Sequence, residues 1–256
     1  MGQDRRKFLK LAGFAAVCAA AKQPLTRLAA AEEAAAVPRE AARKIRWAMV
    51  VDPRKCLEHE NCTACIEACD HAHNIPVFTN PKHEVKWIWK TRFADAFPDQ
   101  DASYVDPTLT DKPVLTLCNH CDNPPCVRVC PTQATWKRRD GIVAMDWHRC
   151  IGCRYCMAAC PYGSRSFNWE DPRPHIAKEN PDFPTRTKGV VEKCTFCDER
   201  IDLGQAPACV TACKEKALVF GDLDDPASEV RQLLRTRFAL RRHAGLGTQP
   251  EVFYLV

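Results

Sequence analysis

The stretch Cys150-Ile151-Gly152-Cys153-Arg154-Tyr155-Cys156-Met157-Ala158-Ala159-Cys160-Pro161 decides how this chain is read. Its spacing is C-x2-C-x2-C-x3-C-Pro. Three thiols two residues apart share one loop and converge, while the fourth is carried away from them. Three further blocks of four accompany it. Cys56, Cys62, Cys65 and Cys69 read C-x5-C-x2-C-x3-C; Cys118, Cys121, Cys126 and Cys130 read C-x2-C-x4-C-x3-C, then Pro131. Cys194, Cys197, Cys209 and Cys213 read C-x2-C-x11-C-x3-C. With Cys18 this makes 17 Cys in 256 residues, in a chain large enough to build a core without disulfides.

A C-x2-C-x2-C-x3-C-Pro run places three thiolates on one iron–sulfur cluster and the fourth on its neighbour. The loop wraps a cubane, with backbone N–H groups directed at its sulfurs. The fourth Cys is expected to open an outgoing helix, and Pro131 and Pro161 fit the first turn of such a helix, where no N–H is missed. Paired C-x2-C units also build zinc sites, but zinc ribbons do not explain the x2-x2-x3-Pro run. Close C-x2-C pairs in loops also make poor structural disulfides. Four [4Fe-4S] clusters use all sixteen remaining thiols. His59, His71, His73 and His83 then read as surface or structural residues, because four Cys already stand in the first block.

The formal net charge is +5, with 27% charged and 46% hydrophobic residues. Residues 1–31 hold six Lys and Arg against Asp4 alone, which is the whole excess, so the remainder is formally neutral. Nucleic-acid surfaces need basic side chains clustered on the folded domain, and that partner class is set aside. Arg5-Arg6-Lys7-Phe8-Leu9-Lys10, an apolar stretch from Leu11 to Ala21, and small-residue sites at 29–31 and 34–36 form a twin-arginine export signal over 1–31. That apolar stretch is shorter than the roughly 20 residues of a spanning helix. Cys18 is expected to leave with the signal. Such signals resemble those of proteins exported already folded, which reconciles sixteen thiols with an oxidising compartment. The mature chain is expected to be periplasmic and held at the inner membrane through a complex.

Arg46–Val51 reads as a strand leading into the first block, and Val114–Leu117 as one leading into the second. Ala134–Arg138 and Ile142–Asp146 read as a hairpin across Asp140-Gly141. Gly189–Lys193 leads into the last block and Ala217–Phe220 follows it. Asp225-Pro226 is expected to cap and start a helix with Val230, Leu233, Leu234 and Phe238 on one face. Trp87-Ile88-Trp89 reads as a strand packed under the clusters. The fold class is α+β, with two pseudo-symmetric ferredoxin-like units. Residues 114–167 form the inner unit; 46–113 and 189–236 form the outer one. The Pro- and Asp-rich stretches 94–113 and 168–188 read as surface loops, the latter connecting the units, and 237–256 as a C-terminal tail.

Cys118-Asn119-His120-Cys121-Asp122-Asn123-Pro124-Pro125-Cys126, Cys150 to Cys156, and Lys193-Cys194-Thr195-Phe196-Cys197 resemble the four-cluster ferredoxin subunits of the dimethyl-sulfoxide and polysulfide reductase type. Phe220 to Pro226 resembles their C-terminal signature. The likeness covers residues 46–236. Within that group the signal, Arg46-Trp47-Ala48-Met49-Val50-Val51-Asp52 and Glu84-Val85-Lys86-Trp87-Ile88-Trp89-Lys90 are most similar to the periplasmic ferredoxin of a membrane complex of dissimilatory sulfur metabolism.

The resemblance implies four ligand sets. These are Cys56, Cys62, Cys65 with Cys213; Cys194, Cys197, Cys209 with Cys69; Cys118, Cys121, Cys126 with Cys160; and Cys150, Cys153, Cys156 with Cys130. The family usually has C-x2-C where this chain has C-x5-C, so the extra residues within Leu57–Asn61 are expected to bulge outward. The implied role is one-electron relay, with a membrane quinone-reactive subunit and a multihaem cytochrome as partners. The alternative is the electron-transfer subunit of a molybdopterin oxidoreductase beside a large catalytic chain; a zinc-binding interaction module is the remote alternative. No catalytic constellation accompanies the cysteines. Lys137, Arg138, Arg139, Arg149, Arg154 and Lys193 are candidates to offset cluster charge.

Overall fold

The computed structural model describes residues 45–59, 61–100 and 110–256. The expected export signal and Cys18 lie outside them. The first described strand, β1 (Trp47–Val51), is followed by α1 (Pro53–Leu57) and α2 (Ala64–Ala72). Then come β2 (Ile88–Arg92), α3 (Phe93–Ala96), β3 (Pro113–Leu117), α4 (Pro125–Arg128), β4 (Thr135–Lys137), β5 (Val143–Met145) and α5 (Tyr155–Ala158). The remainder is β6 (Ser166–Phe167), β7 (Val191–Glu192), α6 (Asp198–Ile201), α7 (Ala208–Ala212), β8 (Leu218–Asp222), α8 (Glu229–Thr236), β9 (Ala239–Leu240) and β10 (Val252–Leu255). Small helices and strands are thus mixed along the chain. None of the described helices is long and apolar enough to cross a membrane.

The largest sheet runs β8-β1-β10-β9, with β1 parallel to β10 and antiparallel to β8. Alternation along β1 explains its place, since successive side chains of a strand point to opposite faces. Met49 and Val51 face the main core with Trp87, Phe97, Leu115, Leu117, Phe196 and Tyr254. Ala48 and Val50 face the other way, onto Leu223, Val230, Phe253 and Leu255, where α8 covers the sheet. Residues 239–255, where the sequence suggested no element, supply both β9 and the strand that pairs with β1.

The remaining strands form the hairpin-like pairs β2-β3, β4-β5 and β6-β7. The Asp140-Gly141 turn joins β4 to β5 as expected, with Thr135 opposite Met145. Trp87 is buried against the core, stacked on His73 with ring centroids 4.7 Å apart. Trp89 is only half-buried.

Three expectations need correction. The cap of α8 is Ser228, whose Oγ accepts from Arg231 N at 3.2 Å. Asp225 instead closes a preceding turn by accepting from Ala227 N at 2.9 Å. Phe238 lies beyond the end of α8 and is 73% exposed, so it does not continue the face of Val230. The 168–188 stretch is also more than a surface loop: it buries Asn168, Phe183 and Arg186. Arg186 enters because Glu192 on β7 meets it in the interior, NH2 to Oε2 at 2.8 Å.

Candidate iron–sulfur centre

Each cysteine block uses a short helix as a bracket. Cys65 and Cys69 both lie on α2; Cys126, Cys156 and Cys209 lie on α4, α5 and α7. Cys130, Cys160 and Cys213 follow just past the ends of α4, α5 and α7. Third and fourth thiols of a block are therefore about one helical turn apart, roughly 6 Å of rise. The expected outgoing helix after the fourth Cys is not what forms. At Cys130 and Cys160 the helix ends before the thiol, and Pro131 and Pro161 open turns. A residue preceding proline is disfavoured in the α region, so Pro stops the helix rather than starting one.

The loops before these helices turn by left-handed residues: His120 (φ 40°), Arg154 (φ 62°), Phe196 (φ 59°) and Cys197 (φ 56°). This conformation turns backbone N–H groups inward. Phe196 N donates to Cys194 Sγ at 3.4 Å, Ala208 N to Cys197 Sγ at 3.3 Å and Ala217 N to Cys213 Sγ at 3.2 Å. Gly152 has φ +68°, and a Cβ there would lie 2.3 Å from Gly189 O, so the loop and the approach to β7 both require glycine.

The thiols collect in sets. Cys56, Cys62, Cys65 and Cys213 line one pocket of about 300 Å³ that opens to solvent. Cys118, Cys121, Cys126 and Cys160 line a second. Cys130, Cys150, Cys153 and Cys156 line a third. Cys69 faces Cys194, Cys209 and Cys197 closely enough that, after burial, their charges are what lift its thiol well above the ordinary value. Burial likewise pushes Cys65 and Cys121 up to about 12, with neighbouring thiols adding to the rise. Buried thiols that would repel one another once ionised are a donor set suited to a positively charged iron–sulfide core, which neutralises them. The residues therefore fit [4Fe-4S] clusters.

The sets are also neighbours. Cys65 acts on Cys209, Cys118 on Cys194, and Cys126 on Cys156, each adding to the effect of burial. Each set thus has another within electrostatic reach. Cys62 in the first pocket and Cys153 in the third are the exposed thiols. The C-x5-C insertion falls where expected, with Glu58 and His59 exposed. Asp52 accepts from Arg54 N at 3.2 Å to cap α1, and α1 carries Cys56.

Of the basic residues singled out, Lys193 is fully buried, with Nζ donating to Val143 O and to Cys194 O. Lys137 pairs with Asp122, Arg138 with Asp140 and Asp202, and Arg149 with Asp146. Arg154 lies over the Trp169 ring at 4.8 Å. A further cation beside the thiols was not singled out in the sequence. Arg165 is buried between Cys126 and Cys156, and its charge opposes the burial that lifts Cys156. It lies in an unremarkable Gly-Ser-Arg-Ser stretch leading into β6, and only folding brings it there.

His73 is structural, as expected, but more closely engaged than a surface residue. Nδ1 is 3.5 Å from Cys69 Sγ and Nε2 is 3.1 Å from Glu199 Oε1. Burial would lower its pKa, yet hydrogen bonds to Cys197 and Glu199 outweigh it and raise the imidazole to about 9. His73, Cys197 and Glu199 form a compact donor group. Because Cys197 belongs to the thiol set, this group adjoins that set and is no separate site. Of the other histidines, His59 lines the open pocket, His83 pairs with Glu170 at 2.7 Å, and His71 is exposed.

The 4Fe-4S dicluster domain family matches residues 113–175 and 180–223. The Hdr-like menaquinol oxidoreductase iron–sulfur subunit 1 of Archaeoglobus fulgidus is 44% identical, covering 98% of this chain and 97% of its own. A putative dimethyl sulfoxide reductase iron–sulfur subunit of Halobacterium salinarum is 37% identical over 82% of this chain and 78% of its own. The menaquinone reductase iron–sulfur cluster-binding subunit of Nitratidesulfovibrio vulgaris is 37% identical over 83% and 89%. The chain belongs to this family of iron–sulfur electron-transfer subunits of oxidoreductases, with [4Fe-4S] clusters as its cofactors.

Proposed function

We propose that this chain relays single electrons through four [4Fe-4S] clusters in a quinone-linked complex of dissimilatory sulfur metabolism, as a counterpart of DsrO in DsrMKJOP. The observation that carries the relay is that the four thiol sets adjoin, each with another set's charge within reach. The ligand sets are Cys56, Cys62, Cys65 and Cys213; Cys69, Cys194, Cys197 and Cys209; Cys118, Cys121, Cys126 and Cys160; and Cys130, Cys150, Cys153 and Cys156. Two ferredoxin-like units, 46–113 with 189–236 and 114–167, hold two clusters each.

The clusters supply the redox chemistry; the chain's own residues supply thiolates, exclude water and set spacing and charge. Exposed Cys62 and Cys153 mark the two ends at which electrons enter and leave. The near full-length relative named for menaquinol oxidation supports a membrane quinone-reactive subunit as one partner. A multihaem cytochrome is the other. Export through the twin-arginine route places the complex on the periplasmic side of the inner membrane.

A second reading rests on the relatives named as dimethyl sulfoxide, tetrathionate and arsenate reductase subunits. On it, the partner is a molybdopterin catalytic chain. The deciding experiment is anaerobic purification of the native complex with this chain as bait, followed by metal and haem analysis. Iron, labile sulfide and haem without molybdenum or tungsten support the first reading. Molybdenum or tungsten with a large partner moves the assignment to the second, and zinc in place of iron ends both.

A further inference from the structure

Asn119 is buried, and both its side-chain Nδ2 and Oδ1 lack hydrogen-bond partners. Leaving a buried amide unsatisfied is costly, and the unengaged Nδ2 donor calls for an acceptor that the protein does not itself supply. Its backbone is held: Glu251 N donates to Asn119 O at 2.8 Å. Asn119 lines the pocket of Cys118, Cys121, Cys126 and Cys160. Arg165 lines the same pocket, buried, with NH2 donating to Thr135 Oγ1 at 3.0 Å. The corresponding pockets at Cys56 and Cys150 contain no unpartnered buried amide among the described residues.

We propose that the Asn119 amide donates a hydrogen bond to a sulfur of the cluster held by Cys118, Cys121, Cys126 and Cys160, and that this bond raises its reduction potential. The inference rests on the ligand set proposed above. Reduction adds one electron, and so one negative charge, to the sulfur-rich core. A hydrogen bond donated to a sulfur stabilises the more negative state, as does the Arg165 guanidinium in the same lining. Asn119 therefore tunes one cluster directly and not the other three. Lys193 adds a second cation, its Nζ donating to the carbonyl of Val143 in the lining of the same pocket.

The test is EPR-monitored potentiometry of the whole native complex, comparing wild type with Asn119→Leu. Cys126→Ser identifies the signal of this cluster by altering it selectively. Asn119→Leu is expected to shift the reduction equilibrium of that signal about tenfold toward oxidation, which is about 59 mV for one electron. The other midpoints and the iron content stay unchanged. Unchanged midpoints with full iron overturn the inference. A uniform shift of all signals also overturns it, because that reports a general structural change. If Asn119→Leu loses iron, Asn119→Asp takes its place. It keeps the shape, replaces the donor by a carboxylate, and must lower the same midpoint; an unmoved midpoint again overturns the inference. Wild type without iron–sulfur signals would refute the ligand sets instead, and is distinguished by metal analysis before any variant is made.

Discussion

Arg186 and Glu192 form an ion pair in which both side chains are wholly removed from solvent, with NH2 2.8 Å from Oε2. Neither charge is left to its partner alone. Glu192 also accepts from Trp87 Nε1 at 3.1 Å and from Asn168 Nδ2, while Arg186 donates to the carbonyls of His73 and Asn74. The guanidinium lies near the Trp87, Trp147 and Phe183 rings, 5.6, 5.7 and 5.8 Å from their centroids. This network ties the 168–188 stretch to α2 and so fixes the ground beneath Cys69.

Arg186→Leu leaves Glu192 buried without its counter-charge, and truncating one partner of a buried pair costs roughly 3–5 kcal/mol. The expected outcome is a lower melting temperature and reduced iron content in the purified protein. Adding Glu192→Gln should recover part of the loss, because it removes the stranded charge and keeps an acceptor for Trp87. No recovery in the double variant would show that packing, not charge, dominates.

Gly152→Ala is expected to disturb one thiol set selectively. The added Cβ meets Gly189 O at 2.3 Å and the backbone sits at φ +68°. Either the loop carrying Cys150 and Cys153 or the turn before β7 has to move. Iron analysis and EPR should show loss of one cluster signal with the others retained.

Ser228→Ala should destabilise the protein by about 1 kcal/mol through loss of the α8 cap. Thermal denaturation measures it directly. A larger effect from Asp225→Ala than from Ser228→Ala would contradict the assignment of the cap.

Glu251 gives a pH dependence. Burial raises its carboxyl from 4.5 to about 7, against the pull of Arg46 and Arg241. The folded state therefore binds this proton more tightly than the unfolded chain does. Its contribution to stability is complete below pH 4.5 and is lost as pH rises through about 7. Glu251→Gln should flatten the decline in melting temperature between pH 5 and 8 relative to wild type. Parallel pH profiles for the two proteins would exclude Glu251 as the group responsible.

Much of the site was legible because thiol spacing is a local property. C-x2-C loops and the x3 step depend only on how a chain turns over a few residues, and in each block the last two Cys stand about one helical turn apart. The β4-β5 hairpin was legible for the same reason, since Asp140-Gly141 specifies its turn. The outgoing helices were misread because the helix forms before the fourth Cys, where Pro131 and Pro161 end it. Ser228 outcompeted Asp225 as a cap because its Oγ reaches Arg231 N.

What the sequence determined by itself was the inventory: sixteen thiols in four blocks, and a family defined by their spacing. The tertiary structure decided which thiols from distant blocks share a pocket, since Cys56 and Cys213 meet through the pairing of β1 with β8 and the packing of α2 on α7. It also decided what surrounds them. Asn119, Arg165, His73 and the Arg186–Glu192 pair carry no signature along the chain, because burial and hydrogen bonding are set by neighbours distant in sequence. The thiol blocks follow from local spacing; the environment around them is created by long-range packing.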